Sequence, residues 1–306
     1  MGTPEFAIPS LETLANSGYQ IIAVYTQPDR PAGRGRGLVP SPVKQKALSL
    51  GLTVRQPVSL RQAEEVQMLR DLRPEVIVVA AYGNLLPQSI IEIPPLGCVN
   101  VHPSLLPLYR GPAPVAAAIL AGDDVTGVSI MLLDAGMDTG PVLARERVDI
   151  SPDDTTGSLT ARLAQIGAGL LAKTLPLWVE GSISPEPQDN EKATYSSTIT
   201  KESGRLDWSR PAIELWRRTR AFQPWPGCYT TWQGKLLKVV EAVPLPGGGE
   251  PGRVVALERS QPATVGVQTG DGILGLRQVQ LEGKRVTAAE EFIRGQRGFV
   301  GAVLPC

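Results

Sequence analysis

The sequence predicts two domains: a doubly wound, mainly parallel α/β domain of Rossmann-like type, followed by a small OB-like β-barrel. Three observations carry this. The chain has 306 residues, more than one hydrophobic core usually serves. From residue 20 to about 180, short β-branched runs alternate with amphipathic stretches, the pattern of strands joined by helical crossovers. The last third of the chain instead carries several short strands punctuated by glycine-rich turns.

In the front part, QIIAVYT, EVIVVAAY, CVNVH and VSIMLL are the expected strands. FAIPSLETLANSG, VKQKALSLG, RQAEEVQMLRDL and APVAAAILAG are the expected helices, three of them ending at a glycine, as helices commonly do. A long helix carrying Leu159, Leu163, Ile166, Leu170 and Leu171 closes the first domain, placed at residues 1–181. The polar, Pro- and Ser-bearing stretch EGSISPEPQDNEKATYSS then reads as a linker, 182–202. In the second domain, 203–306, AIELWRRTRAF reads as a helix, and KLLKVVEAV, GRVVALE, TVGVQ and GILGLRQVQL as strands.

Composition bounds the function. With 42% hydrophobic and 20% charged residues, the chain is neither disordered nor fibrous. No apolar run approaches the roughly 20 residues of a membrane span, and no basic segment followed by an apolar run marks a secretory signal. Cys98, Cys228 and Cys306 are scattered, so neither disulfides nor a cysteine zinc site is expected, and a reducing cytoplasm is the expected setting. Residues 1–200 hold 15 basic against 20 acidic side chains, and residues 201–306 hold 15 against 10. The basic tail suits a polyanionic partner, or is ordinary solvated charge.

His102 is the only histidine. On a strand, residues i and i+2 share a face, so Asn100 and His102 project together at a carboxyl edge, where open α/β sheets bind ligands. An imidazole beside a carboxamide pairs a proton carrier with a neutral hydrogen-bond donor; the alternative is a satisfied core histidine. In LLDAGMDTGPV, Asp134 and Asp138 flank Gly136 on a turn that could bring a carboxylate to the same crevice, or use Asp and Gly for backbone reasons alone. One histidine and no clustered cysteines give no metal site, and MGTPEF lacks dinucleotide glycine spacing. Residues 27–46 gather Arg30, Arg34, Arg36, Lys44 and Lys46 against Asp29, a basic glycine-bearing loop suited to a phosphate backbone or to solvent.

GTPEF, TQPDRPAGRG with VPSPVK, AYGNLLP, NVHPSLLP, RGPAPV and DAGMDTGPVL, with LDWS and AFQPWPG in the second domain, resemble the methionyl-tRNA formyltransferase family over nearly the whole chain. The resemblance implies transfer of a formyl group from 10-formyltetrahydrofolate to the methionine α-amino group on initiator tRNA, by a monomer without metal or membrane. It implies that Asn100, His102 and Asp138 are catalytic, that Ser104, Leu105, Leu106 and Pro107 bind folate, and that Arg34 and Arg36 bind tRNA. Two rivals are a formyltransferase for a small amine and a nucleic-acid-binding protein with a dead enzyme domain. One departure stands out: members usually carry a short apolar strand before GTPEF, whereas here Met1 stands at that glycine turn. The expectation is that this central first strand is missing, and that the natural chain starts upstream.

Overall fold

The structure, a computed structural model, describes residues 1–32, 37–258 and 260–305. The chain divides into two compact units: residues 1–114, 125–149 and 159–196, and residues 115–124, 150–158 and 197–306.

The strands up to residue 149 are β1 (Val24–Tyr25), β2 (Arg30–Ala32), β3 (Gly37–Val39), β4 (Val54–Arg55), β5 (Ile77–Val79), β6 (Cys98–His102), β7 (Val125–Leu132) and β8 (Val142–Asp149). The helices up to residue 179 are α1 (Ile8–Asn16), α2 (Pro42–Ser49), α3 (Ala63–Asp71), α4 (Gln88–Ile91), α5 (Pro114–Ala121) and α6 (Thr156–Val179). Local chemistry explains several boundaries. Ser41 caps α2 by accepting the Lys44 N–H, with Pro42 in the first turn. Glu64 and Glu65 open α3 and Arg70 closes it, matching the helix dipole.

β5 and β6 pair in parallel, and β7 and β8 extend the same four-stranded sheet antiparallel. The sheet is therefore less parallel than the crossover pattern predicts. β8 was not expected at all, because its sequence VLARERVD is charged and only Val142 of it is buried, without an apolar run to betray it. α6 lies close over β6 and β7: a Cβ at Gly167 would stand 2.8 Å from Val101 Cγ1 and 3.2 Å from Val128 Cγ1. Val101 thus faces the helix, which leaves Asn100 and His102 on the other face of β6.

β1 and β4 form a separate parallel pair. Between β1 and β5 lies a cavity of about 620 Å³, lined by Ile22, Val24, Val76 and Val78 among others. Met1 and Gly2 cross its end: Gly2 donates to the Tyr25 carbonyl at 3.0 Å, Ala80 donates to the Met1 carbonyl at 2.9 Å, and the Met1 ammonium donates to the Val78 carbonyl at 2.6 Å.

The second unit holds an antiparallel sheet of β9 (Cys228–Trp232), β10 (Lys235–Leu245), β11 (Val254–Ala256), β12 (Val265–Gln268), β13 (Ile273–Leu281) and β14 (Thr287–Ala288). Its order is β11-β12-β13-β10-β9, with β14 on β13 and a register shift near Glu241 that bends β10. α7 (Ala212–Ala221) and α8 (Ala289–Gly295) accompany it. Trp232, Phe292 and Phe299 pack edge to face with ring centroids 5.0 to 5.8 Å apart. This is the curled OB-like sheet the glycine-punctuated strands predict. Cys98 and Cys228 are buried free thiols, and burial pushes each up to about 12. Cys306 lies outside the described residues. No helix among the described residues is long and apolar enough to cross a membrane.

Candidate active site

β6 is buried along its whole length, and it delivers Asn100 and His102 to the carboxyl end of the sheet, as the i, i+2 spacing predicts. Among the described residues, the Asn100 carboxamide has no hydrogen-bond partner. Among the described residues, two polar groups lie against the His102 ring nitrogens. Its Nε2 lies 3.2 Å from the Tyr109 carbonyl oxygen, which can only accept, so Nε2 carries a proton. Its Nδ1 lies 3.7 Å from Asp138 Oδ2. Burial lowers the His102 pKa from its ordinary 6.5, while Asp138 and the Tyr109 carbonyl oppose that shift. Burial thus favours the neutral ring, in which a proton on Nε2 leaves the lone pair on Nδ1.

Asp138 and Asp134 do different things. Asp138 accepts the Gly111 N–H at 2.7 Å and faces the imidazole, whereas Asp134 accepts from the Gly136 N–H and the Thr139 hydroxyl within its own turn. Of the two carboxylates the sequence offered, only Asp138 joins His102. Both groups touching the imidazole come from left-handed residues, Tyr109 at φ 57° and Asp138 at φ 55°, a conformation uncommon outside glycine.

The segment after His102 is tightly knit. Ser104 donates to the Leu108 carbonyl at 2.6 Å, Ser129 donates to the Ser104 carbonyl at 2.7 Å, and Leu106 N–H donates to Ser129 Oγ at 3.0 Å. Ser104 and Leu106 are buried within it, while Leu105 and Pro107 are half-buried. Arg34 and Arg36 lie outside the described residues. Of the other basic-loop cations, Lys44 pairs with Asp29 at 2.6 Å and Lys46 with Glu12 at 2.7 Å. Among the described residues no three His, Cys, Asp or Glu side chains gather as a metal site.

One group escaped the sequence reading. Arg110 is 1% exposed, and its described partners are the neutral oxygens of Gln188, Asn190 and Tyr195. The RGPAPV motif names this residue but gives no hint of its burial, because its partners come from 78 to 85 residues downstream.

The chain matches the Formyl transferase family over residues 1–175 and the Formyl transferase C-terminal domain over residues 198–297. A methionyl-tRNA formyltransferase of Chloroflexus aggregans is 50% identical over 297 residues, covering 96% of this chain and 96% of that protein. One from Dehalococcoides mccartyi is 50% identical over 306 residues, covering 99% and 96%. The chain belongs to the methionyl-tRNA formyltransferase family. The fold likeness reaches further. An N-formyltransferase of Helicobacter canadensis, solved with folinic acid and dTDP-3-aminofucose, has a TM-score of 0.65 at 17% identity, over 90% of this chain and 97% of its own. HypX of Aquifex aeolicus, solved with tetrahydrofolic acid, has a TM-score of 0.59 at 20% identity, over 82% of this chain and 44% of its own. For this methionyl-tRNA formyltransferase family member, those two likenesses concern the fold.

Proposed function

We propose that the chain transfers the formyl group of 10-formyltetrahydrofolate to the α-amino group of methionyl initiator tRNA, with Asn100, His102 and Asp138 as the catalytic residues. The observation that carries this reading is the buried Asn100 carboxamide on the same strand face as a buried imidazole whose Nδ1 lies 3.7 Å from the Asp138 carboxylate, in a chain 50% identical to methionyl-tRNA formyltransferases. A neutral donor, a proton acceptor and an adjoining apolar segment, Leu105 to Pro107, fit a formyl donor with an apolar ring system. That donor supplies an activated formyl carbon.

The methionine amine adds to the formyl carbon, the tetrahedral species collapses by breaking the donor's C–N bond, and the proton the amine sheds is matched by the one the departing N10 of tetrahydrofolate takes up. The Asn100 N–H groups meet the negative charge that develops on the formyl oxygen. His102 Nδ1, or Asp138 through a water in the gap, takes the amine proton. Once protonated at Nδ1, the ring is steadied by Asp138 and can return the proton to the leaving nitrogen. Ser104, Leu105, Leu106 and Pro107 are read as the folate-contacting segment, and Arg34 and Arg36 as contacts to the acceptor end of the tRNA.

The test is to incubate the protein with 10-formyltetrahydrofolate and, separately, charged initiator tRNA, charged elongator tRNA and glycinamide ribonucleotide. Formylation of the initiator species alone is expected. Formylation of glycinamide ribonucleotide moves the chain to the small-amine rival, and no formylation of any acceptor leaves the dead-domain rival.

A further inference from the structure

Arg110 sits in the chain between the residue that contacts the imidazole and the residue that holds Asp138. The carbonyl of Tyr109, before it, meets His102 Nε2 at 3.2 Å, and the N–H of Gly111, after it, holds Asp138 Oδ2 at 2.7 Å. Its guanidinium is buried. Nε and Nη2 both donate to Gln188 Oε1, at 3.0 and 2.9 Å. This fixes which way the Gln188 amide points: with its oxygen claimed by the cation, its Nε2 turns outward and donates to the carbonyls of Asp138 at 2.8 Å and Gly140 at 2.7 Å. Asp138, whose carbonyl accepts from that amide, has a left-handed backbone at φ 55°. The main chain of Arg110 is fixed as well, with its N–H on the Thr194 carbonyl at 2.9 Å and its carbonyl accepting from Ser196 N–H at 2.8 Å. Tyr109 N–H donates to Thr194 Oγ1 at 2.8 Å.

We propose that Arg110 and Gln188 are positioning residues for formyl transfer: the buried guanidinium sets the Gln188 amide, and that amide holds Asp138 opposite His102 Nδ1. This rests on the functional reading above. Neither residue touches the reacting atoms. A 1 Å misplacement of a catalytic group can cost a hundredfold in rate, so a relay of this kind acts on turnover rather than on substrate binding.

Two variants of the full chain test it. Gln188→Met keeps the length of the side chain and removes its amide. Gln188→Glu keeps an acceptor for the guanidinium, so the cation stays partnered, but it places carboxylate oxygen against the Asp138 and Gly140 carbonyls. In both, kcat is expected to fall by about 10- to 100-fold, with the KM for 10-formyltetrahydrofolate and for charged tRNA within about threefold of wild type. A second readout needs no catalysis. The chain's single histidine gives one imidazole signal pair in a ¹⁵N spectrum, and its titration can be followed directly. The charged group facing the ring is Asp138, which favours the protonated form, and its withdrawal in Gln188→Met lowers the midpoint below that of wild type. If Gln188→Met does not fold, kcat of Gln188→Glu decides alone. A folded Gln188→Glu protein with wild-type kcat, or variants that lose thermal stability while each folded molecule turns over normally, overturns the proposal. If wild type formylates no acceptor, the functional reading fails, and the histidine titration still decides whether Gln188 places Asp138.

Discussion

His102 combines burial, a fixed Nε2 proton and a carboxylate beyond direct hydrogen-bond reach. Removing a positioned acid or base usually costs about two to four orders of magnitude. His102→Ala is therefore expected to lower turnover by that amount while folate binding and the fold persist; near-normal turnover in a folded variant removes the catalytic reading. A pH effect follows from the same burial. The folded-state pKa of His102 lies below the ordinary 6.5, so the unfolded chain binds the extra proton first. Stability is then complete above 6.5 and declines as pH falls from 6.5 toward the lowered folded value. His102→Gln cannot titrate, and chemical denaturation across that window should show wild type losing stability relative to it. Parallel curves would mean the ring is not held neutral.

At the scale of elements, the position of β6 depends on how closely α6 approaches it. Gly167 leaves no room for a side chain against Val101 and Val128. Overpacking of this kind typically costs about 1 to 3 kcal/mol. Gly167→Val is expected to lower the urea midpoint accordingly and to depress kcat, because the strand that moves carries Asn100 and His102; an unchanged midpoint would show that helix and strand adjust freely. The basic loop makes a separate prediction. If Arg34 meets a tRNA phosphate, Arg34→Ala raises the KM for tRNA and flattens its salt dependence by about one phosphate contact, leaving the folate KM in place. An unmoved salt slope would return the loop to ordinary surface.

For the molecule as a whole, packing in the front unit is incomplete at one place. Its strands lie in two pieces, β1 paired with β4 and β5 through β8, with a cavity of about 620 Å³ between their edges and Met1, Gly2 and Thr3 bonding across its end. An edge strand offers unpaired backbone groups to any chain that fits, and each buried aliphatic side chain contributes about 1.5 to 3 kcal/mol. Val78→Ile, which adds a methylene at the lining of this cavity, is expected to raise stability by about 0.8 kcal/mol. Chemical denaturation of the variant beside wild type checks this, and a lowered midpoint would show that the lining has no room for it.

The sequence by itself determined most of the strand and helix order, the common face of Asn100 and His102 on CVNVH, and the family, because periodicity and local motifs are encoded over a few residues. It left the choice between Asp134 and Asp138 open, since both fit the same turn; only packing brought Asp138 to Gly111 and His102 and left Asp134 in its own loop. The charged β8 and the antiparallel half of the sheet gave no apolar signal, and it is pairing with β7 that makes VLARERVD a strand. Arg110 is the clearest case. An arginine in a Pro- and Gly-bearing loop reads as surface, and nothing near it in the chain says otherwise. Its burial is decided by Gln188, Asn190 and Tyr195, which reach it only after the chain has folded back. A buried cation is tolerable only where such distant oxygens converge, and that convergence is a property of the tertiary structure.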